Sequence, residues 1–77
     1  MPKSVVLYTR AGCHLCDVAL EQLREVGLHP KQVDIDADPE LQARFNECVP
    51  VVELDGKVRF RGRINPVLLR RFLTVDA

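Results

Sequence analysis

The apolar period of this chain changes between Thr9 and Cys13, and that change constrains the fold more than any other feature. Before it, "SVVLYT" is a short β-branched apolar run, which reads as a buried strand. After it, Leu15, Ala19, Leu23 and Val26 recur at helical spacing, with Leu20 and Cys16 beside them. Asp17, Glu21, Arg24 and Glu25 fall on the opposite side of that helix. The joint is the short turn Arg10, Ala11 and Gly12, so the chain opens as a strand feeding an amphipathic helix. Gly27 ends the helix, and Pro30 follows three residues on.

The same kind of punctuation orders the rest. "KQVDID" reads as a second strand, with Val33 and Ile35 alternating against polar neighbours. Asp38-Pro39 is a helix start, with Asp38 as N-cap and Pro39 at the first helical position. Leu41 and Phe45 then lie four apart on a short helix. "VPVVEL" is a third strand, opened by Pro50. Asp55-Gly56 signals a two-residue hairpin into the returning strand "KVRFR". Period-2 alternation there puts Lys57, Arg59 and Arg61 on one face and Val58 and Phe60 on the other, a charged edge guarded against pairing with other chains. Asn65-Pro66 repeats the N-cap and proline pattern. Leu68, Leu69, Phe72 and Leu73 supply the apolar face of the last helix. The order β-α-β-α-β-β-α predicts an α/β domain: a four-stranded mixed sheet, parallel at its front and antiparallel at the hairpin, flanked by three helices.

A length of 77 residues makes 1–77 a single domain, near the lower limit for a useful core. Apolar residues make up 47 %, which favours a folded globule over disorder. Formal charge is zero, so the net charge calls for neither nucleic acid nor membrane. Acids gather in the middle (Asp34 to Asp55) and bases towards the end (Lys57 to Arg71), which complementary halves of one fold explain. The first apolar run, Val5 to Tyr8, is too short for a signal peptide or a membrane span, and the expected location is the cytoplasm. Three cysteines are an odd number, which does not suit a secreted disulfide scaffold.

Two of those cysteines, Cys13 and Cys16, carry the chemistry. A Cys-x-x-Cys alone fits a redox pair, half of a metal site, or two small buried residues. Its place here decides between them. Cys13 stands at or near the helix N-cap, where unpaired backbone N–H groups and the helix dipole favour a thiolate. Thiolate is the nucleophile of disulfide exchange, and Cys16 lies one turn further in, within reach as the resolving thiol. A zinc site usually needs a second ligand pair, and only Cys48, His14 and His29 remain to supply one. Asp34, Asp36 and Asp38 superficially resemble a calcium loop, but Pro39 stands where glycine is required and Phe45 where glutamate is. The expected metal is therefore none. A protonated His14 would favour the Cys13 thiolate further.

The combination of "LYTRAGCHLC", "VDIDADPEL" and "CVPVVELDGK" resembles the glutaredoxins of the thioredoxin superfamily along the whole chain, and most closely the small bacterial glutaredoxin-like proteins with Cys-His-Leu-Cys. The resemblance implies a thioredoxin fold and a thiol–disulfide oxidoreductase active in cell redox homeostasis. It implies that Cys13 attacks and Cys16 resolves. Arg10 stands where that family carries a basic residue. Val49-Pro50 matches its Val-Pro dipeptide, with a cis proline facing the disulfide and the valine backbone pairing with bound glutathione. A cis Pro50 would put Cys48 near the rim of the site. His14-Leu15 replaces the family's Pro-Tyr beside the glutathione groove. "RGRINP" replaces its Gly-Gly-x-Asp, leaving Asn65 and the helix start to hold a carboxylate. Glutathione mixed disulfides and protein disulfides therefore both stay open as substrates. Glutathione is a co-substrate on this reading, no cofactor is bound, and the protein is a monomer. The alternative is a metal or iron–sulfur carrier using the same thiols.

Overall fold

The computed structural model describes residues 2–46 and 48–74. Along the chain come β1 (Val5–Thr9), α1 (His14–Glu25), β2 (Lys31–Asp34), a 3-10 turn (Ile35–Ala37), α2 (Pro39–Phe45), β3 (Val51–Leu54), β4 (Lys57–Arg61) and α3 (Pro66–Thr74). One sheet orders the strands β2-β1-β3-β4. Parallel pairing is confined to β1 with β2, while β3 runs antiparallel to both β1 and β4. This is the thioredoxin fold, with α1 and α3 on one face of the sheet and α2 with the 3-10 turn on the other.

Local chemistry sets the boundaries. Cys13 caps α1, with its sulfur accepting the Cys16 N–H. At the other end Gly27 takes φ +85°, its N–H donates to the Arg24 carbonyl, and the Leu28 N–H donates to the Leu23 carbonyl. That pair of bonds is a Schellman motif, which needs a residue free of the Cβ penalty in the left-handed region. Asp38 accepts the Glu40 N–H and starts α2, and Asn65 accepts the Val67 and Leu68 N–H groups and starts α3. Asp55 and Gly56 both have positive φ, 52° and 82°, which a two-residue type I′ hairpin requires. The Asp55 carboxylate also accepts the Lys3 and Ser4 N–H groups, tying down the N-terminal segment.

The helix face of the sheet buries Leu7, Val52 and Phe60 against Ala19 and Leu23 of α1 and Leu69 of α3. The opposite face is thinner: Ile35, Phe45 and Val51 are buried there, with Tyr8, Leu41 and Val58 packed around them. Burying a Leu, Ile or Phe side chain contributes about 1.5–3 kcal/mol each, so these two layers dominate the stability of the domain.

Four expectations from the sequence are corrected. The second strand ends at Asp34, because the Asp34 carboxylate accepts the Asp36 N–H and bends the chain into the 3-10 turn, placing Ile35 in the core from there. Leu15 and Leu68 are exposed rather than on their helices' buried faces, which centre on Cys16, Ala19 and Leu23 and on Leu69. The third strand begins at Val51, after a cis Val49–Pro50 peptide. β4 also departs from the expected pattern. The β3–β4 register pairs Val52 with Phe60 but Glu53 with Val58, so Arg59 is an extra residue, a bulge. The bulge breaks the alternation. Phe60 packs on the α1/α3 face and Val58 on the α2 face. Arg59 lies 5.0 Å over the Phe72 ring of α3, whereas Arg61 pairs with Val51 and faces the α2 side. Lys57, Arg59 and Arg61 therefore do not share a face.

Tyr8 packs 4.8 Å from the Phe45 ring, centroid to centroid, and its hydroxyl donates to Glu53 at 2.8 Å. Partial burial, then that hydrogen bond and the Glu53 charge, raise the Tyr8 pKa above its usual value. A raised acid favours the protonated native state, so this contribution is present at neutral pH and is lost as pH rises through the raised value. The chain has one tyrosine and no tryptophan, so absorbance at 295 nm reports Tyr8 alone. Its midpoint is expected above about 10 and should fall in Glu53→Gln. An unchanged or higher midpoint in that variant contradicts the assignment.

Candidate active site

Strand direction brings four segments to one end of the sheet. Thr9 pairs with Asp34, Tyr8 with Val51, and Val51 with Arg61. The exits of β1, β2 and β4 and the entrance of β3 therefore meet. Segments 10–13, 35–37, 48–50 and 62–65 converge there. Gly62, at φ +78°, donates its N–H to the Pro50 carbonyl at 2.7 Å and to the Cys48 carbonyl at 3.0 Å, which fixes two of these segments together.

Cys13 and Cys16 are paired as a disulfide, with Cα atoms 5.3 Å apart, inside the range such a bond allows. The Cys13 sulfur also accepts the Cys16 N–H at 3.1 Å. The Cys13 N–H donates to the Arg10 carbonyl at 3.2 Å, so the turn that follows β1 sets the cap. The two sulfurs are unequal: Cys13 is part-exposed, whereas Cys16 is 3 % exposed. An incoming disulfide can reach the first sulfur and not the second.

Around this pair lie the other residues singled out from the sequence. His14 and Leu15 are exposed and line a groove of about 380 Å³ between α1 and the 62–64 segment. Val18 and Gln22 continue its α1 wall, and Arg63 and Ile64 form the other. Gln22 bridges the two walls by donating to the Ile64 carbonyl at 3.3 Å. Pro50 is fully buried at the sheet end that Cys13 shares, and Val49 packs against the Phe45 layer. Asn65 is on the same side of the molecule, but its side-chain oxygen is occupied in capping α3. Cys48 sits part-buried against Ile35, Phe45 and Val51, with its N–H donated to the Phe45 carbonyl. Among the described residues, no three His, Cys, Asp or Glu side chains gather as metal ligands.

Arg10 is not a free charge. Its Nε and Nη2 donate to the Asp36 carboxylate at 2.9–3.2 Å, and Nη1 and Nη2 donate to the Asn46 backbone and side-chain oxygens at 3.0 and 2.7 Å. The hydrogen bond from Arg10, and then that from Gln42, hold the Asp36 carboxyl below its usual value, and the same Arg10–Asp36 bond raises Arg10. Asp36, Asn46, Val18 and Gln22 were not marked by the sequence as site residues. The first two lie 26 and 36 positions from Arg10, beyond any local pattern. Val18 follows Leu15 by three, a spacing that was legible once Leu15 is known to face out.

The sequence model of the Glutaredoxin-like domain (DUF836) matches residues 4–74. An uncharacterized protein of Mycobacterium tuberculosis is 40 % identical over 62 residues, 69 % of this chain and 64 % of that protein. The chain thus spans just under two thirds of the length of the curated relatives it matches. A structural-genomics target protein from X. campestris superposes with a TM-score of 0.81 at 30 % identity, over 94 % of this chain and 97 % of that one. The glutaredoxin of Archaeoglobus fulgidus shares the fold, with a TM-score of 0.67 at 23 % identity, over 96 % and 88 % of the two chains.

Proposed function

This chain belongs to the Glutaredoxin-like domain (DUF836) family, and on that premise we propose that it reduces or exchanges protein and glutathione mixed disulfides through Cys13 and Cys16. Membership and the Cys-x-x-Cys pair support a thiol–disulfide oxidoreductase-like role. The single observation carrying the finer reading is the unequal sulfur pair at the start of α1, with Cys13 part-exposed and its sulfur accepting the Cys16 N–H.

In the reduced protein the Cys13 thiolate attacks one sulfur of a substrate disulfide. A new S–S bond forms to Cys13, the old one breaks, and the other substrate sulfur leaves as a thiolate. Cys16 then gives up its proton and attacks the Cys13 sulfur. The remaining substrate half leaves as a second thiolate, and the Cys13–Cys16 disulfide forms. Two electrons have passed to the substrate. Glutathione, as co-substrate, or a dithiol reductase returns the pair to the thiols. The groove lined by His14 and Leu15, the two residues that follow the attacking cysteine, is the proposed seat of the substrate chain, and the Val49 backbone is the proposed partner of a bound glutathione; no bound cofactor takes part. Among the described residues no helix is long and apolar enough to cross a membrane. We place the activity in a monomer in the reducing cytoplasm, where a Cys-x-x-Cys cycles instead of standing as a staple.

The test is alkylation of the reduced protein with iodoacetamide across pH, read at Cys13 by peptide mass. Cys13 is expected to react with a midpoint below the free-thiol value of about 8.5. A midpoint at or above that value contradicts the assignment of Cys13 as the attacking group.

A further inference from the structure

The Arg10 side chain ties its own turn, at the sulfur end of the sheet, to the 3-10 turn after β2 and to the end of α2. Arg10 follows β1 directly, and its carbonyl accepts the Cys13 N–H that sets the cap of α1. Its guanidinium reaches Asp36 in the 3-10 turn after β2. It also holds both oxygens of Asn46, the residue that ends α2 and stands four before Pro50. Gln42 of α2 donates to the same Asp36 oxygen at 2.8 Å, which closes the network.

This arrangement has two consequences. First, the fork geometry matters. A planar guanidinium can bind a carboxylate and a neighbouring amide at once, and a lysine ammonium cannot reproduce that span. Second, the charge is already matched by the Asp36 carboxylate 2.9 Å away. Little of it is left for an anionic substrate.

We propose that Arg10 is a positioning residue of the dithiol site: clamped by Asp36 and Asn46, it locks the turn that holds Cys13 at the start of α1, and it acts through that clamp and not through its charge on the substrate. The proposal rests on the oxidoreductase reading given above. It reverses the expectation that the family's basic residue before the first cysteine offers a charge.

The two accounts of Arg10 differ in sign at Asp36. Removing Asp36 breaks the clamp but frees the guanidinium. The experiment compares wild type, Arg10→Ala, Arg10→Lys, Asp36→Ala and the double Arg10→Ala/Asp36→Ala variant. The readouts are the pH profile of Cys13 alkylation by iodoacetamide, and kcat and KM on a small neutral disulfide. The clamp predicts that Arg10→Ala and Arg10→Lys both slow Cys13 by about tenfold at neutral pH, the scale of coupling within one hydrogen-bonded network. It predicts that Asp36→Ala slows Cys13 in the same direction, and that the double variant is no slower than Arg10→Ala. Wild-type reactivity in Arg10→Lys, or reactivity at or above wild type in Asp36→Ala, overturns it. Both residues lie at the surface, so cooperative folding should survive. Should Arg10→Ala fail to fold, Asn46→Ala carries the test, because it removes only one acceptor of the clamp. A wild type inert towards every disulfide would sink the oxidoreductase reading itself. An active wild type with an unaffected Arg10→Lys would sink the clamp alone.

Discussion

Cys13→Ser is expected to lose disulfide exchange to the uncatalysed background, and Cys16→Ser to stall at a mixed disulfide. Serine preserves the size and the capping role at Cys13, since its oxygen can accept the Cys16 N–H as the sulfur does. Folding should therefore be intact, and the loss is chemical: a hydroxyl without an activating base is a weak nucleophile at neutral pH. Cys16→Ser keeps the part-exposed attacking sulfur but removes the buried one that would displace the product. Incubated with oxidised glutathione or a protein disulfide, it should accumulate one covalent adduct per chain on Cys13, released by a dithiol. Full two-thiol turnover in Cys16→Ser contradicts its resolving role. An adduct found on Cys48 would move the chemistry to another sulfur.

Phe45→Ala is expected to have the largest effect on stability. Phe45 is 2 % exposed and is the largest of the three buried side chains of the thin α2 layer. The seven-residue α2 is too short to hold its shape without that anchor. Truncating a buried Phe costs about 3–5 kcal/mol, against a total of roughly 4–12 kcal/mol for a chain of this length. Urea denaturation should show a midpoint lowered by about a quarter or more of the wild-type value, in proportion to that loss. The control is Leu68→Ala, at an exposed position, which should stay within about 0.5 kcal/mol of wild type. A loss below about 1 kcal/mol for Phe45→Ala would mean that the α2 layer does not hold the domain together.

What could be read from the sequence was what is encoded locally. Asp38-Pro39, Asn65-Pro66, Asp55-Gly56 and Gly27 each carry their own turn or cap chemistry, and each stands in the structure where its chemistry puts it. Cys13 at the start of α1 was legible for the same reason, because a strand period gave way to a helix period there. The unread features depend on residues far apart. The bulge at Arg59 exists only through the pairing of β4 with β3, and no alternation inside "KVRFR" announces it. Leu15 looked interior by helical spacing, but the sheet surface that α1 covers ends before it, and the groove begins. The fate of Arg10 was hidden too, since both its partners arrive from segments brought near only by the fold. The cis Val49–Pro50 bond followed from the resemblance and not from the residues alone, for which trans is the ordinary state.

The central claim is that Cys13 and Cys16 form a working dithiol couple. Equilibration in glutathione buffers of graded poise, followed by acid quench, thiol trapping and peptide mass analysis, tests it most directly. The account predicts that Cys13 and Cys16 lose their free thiols together in one two-electron transition, about 30 mV per tenfold change in the ratio of oxidised to reduced protein, while Cys48 stays free throughout. A Cys13–Cys16 disulfide absent at every poise, or a disulfide that recruits Cys48 instead, would contradict it.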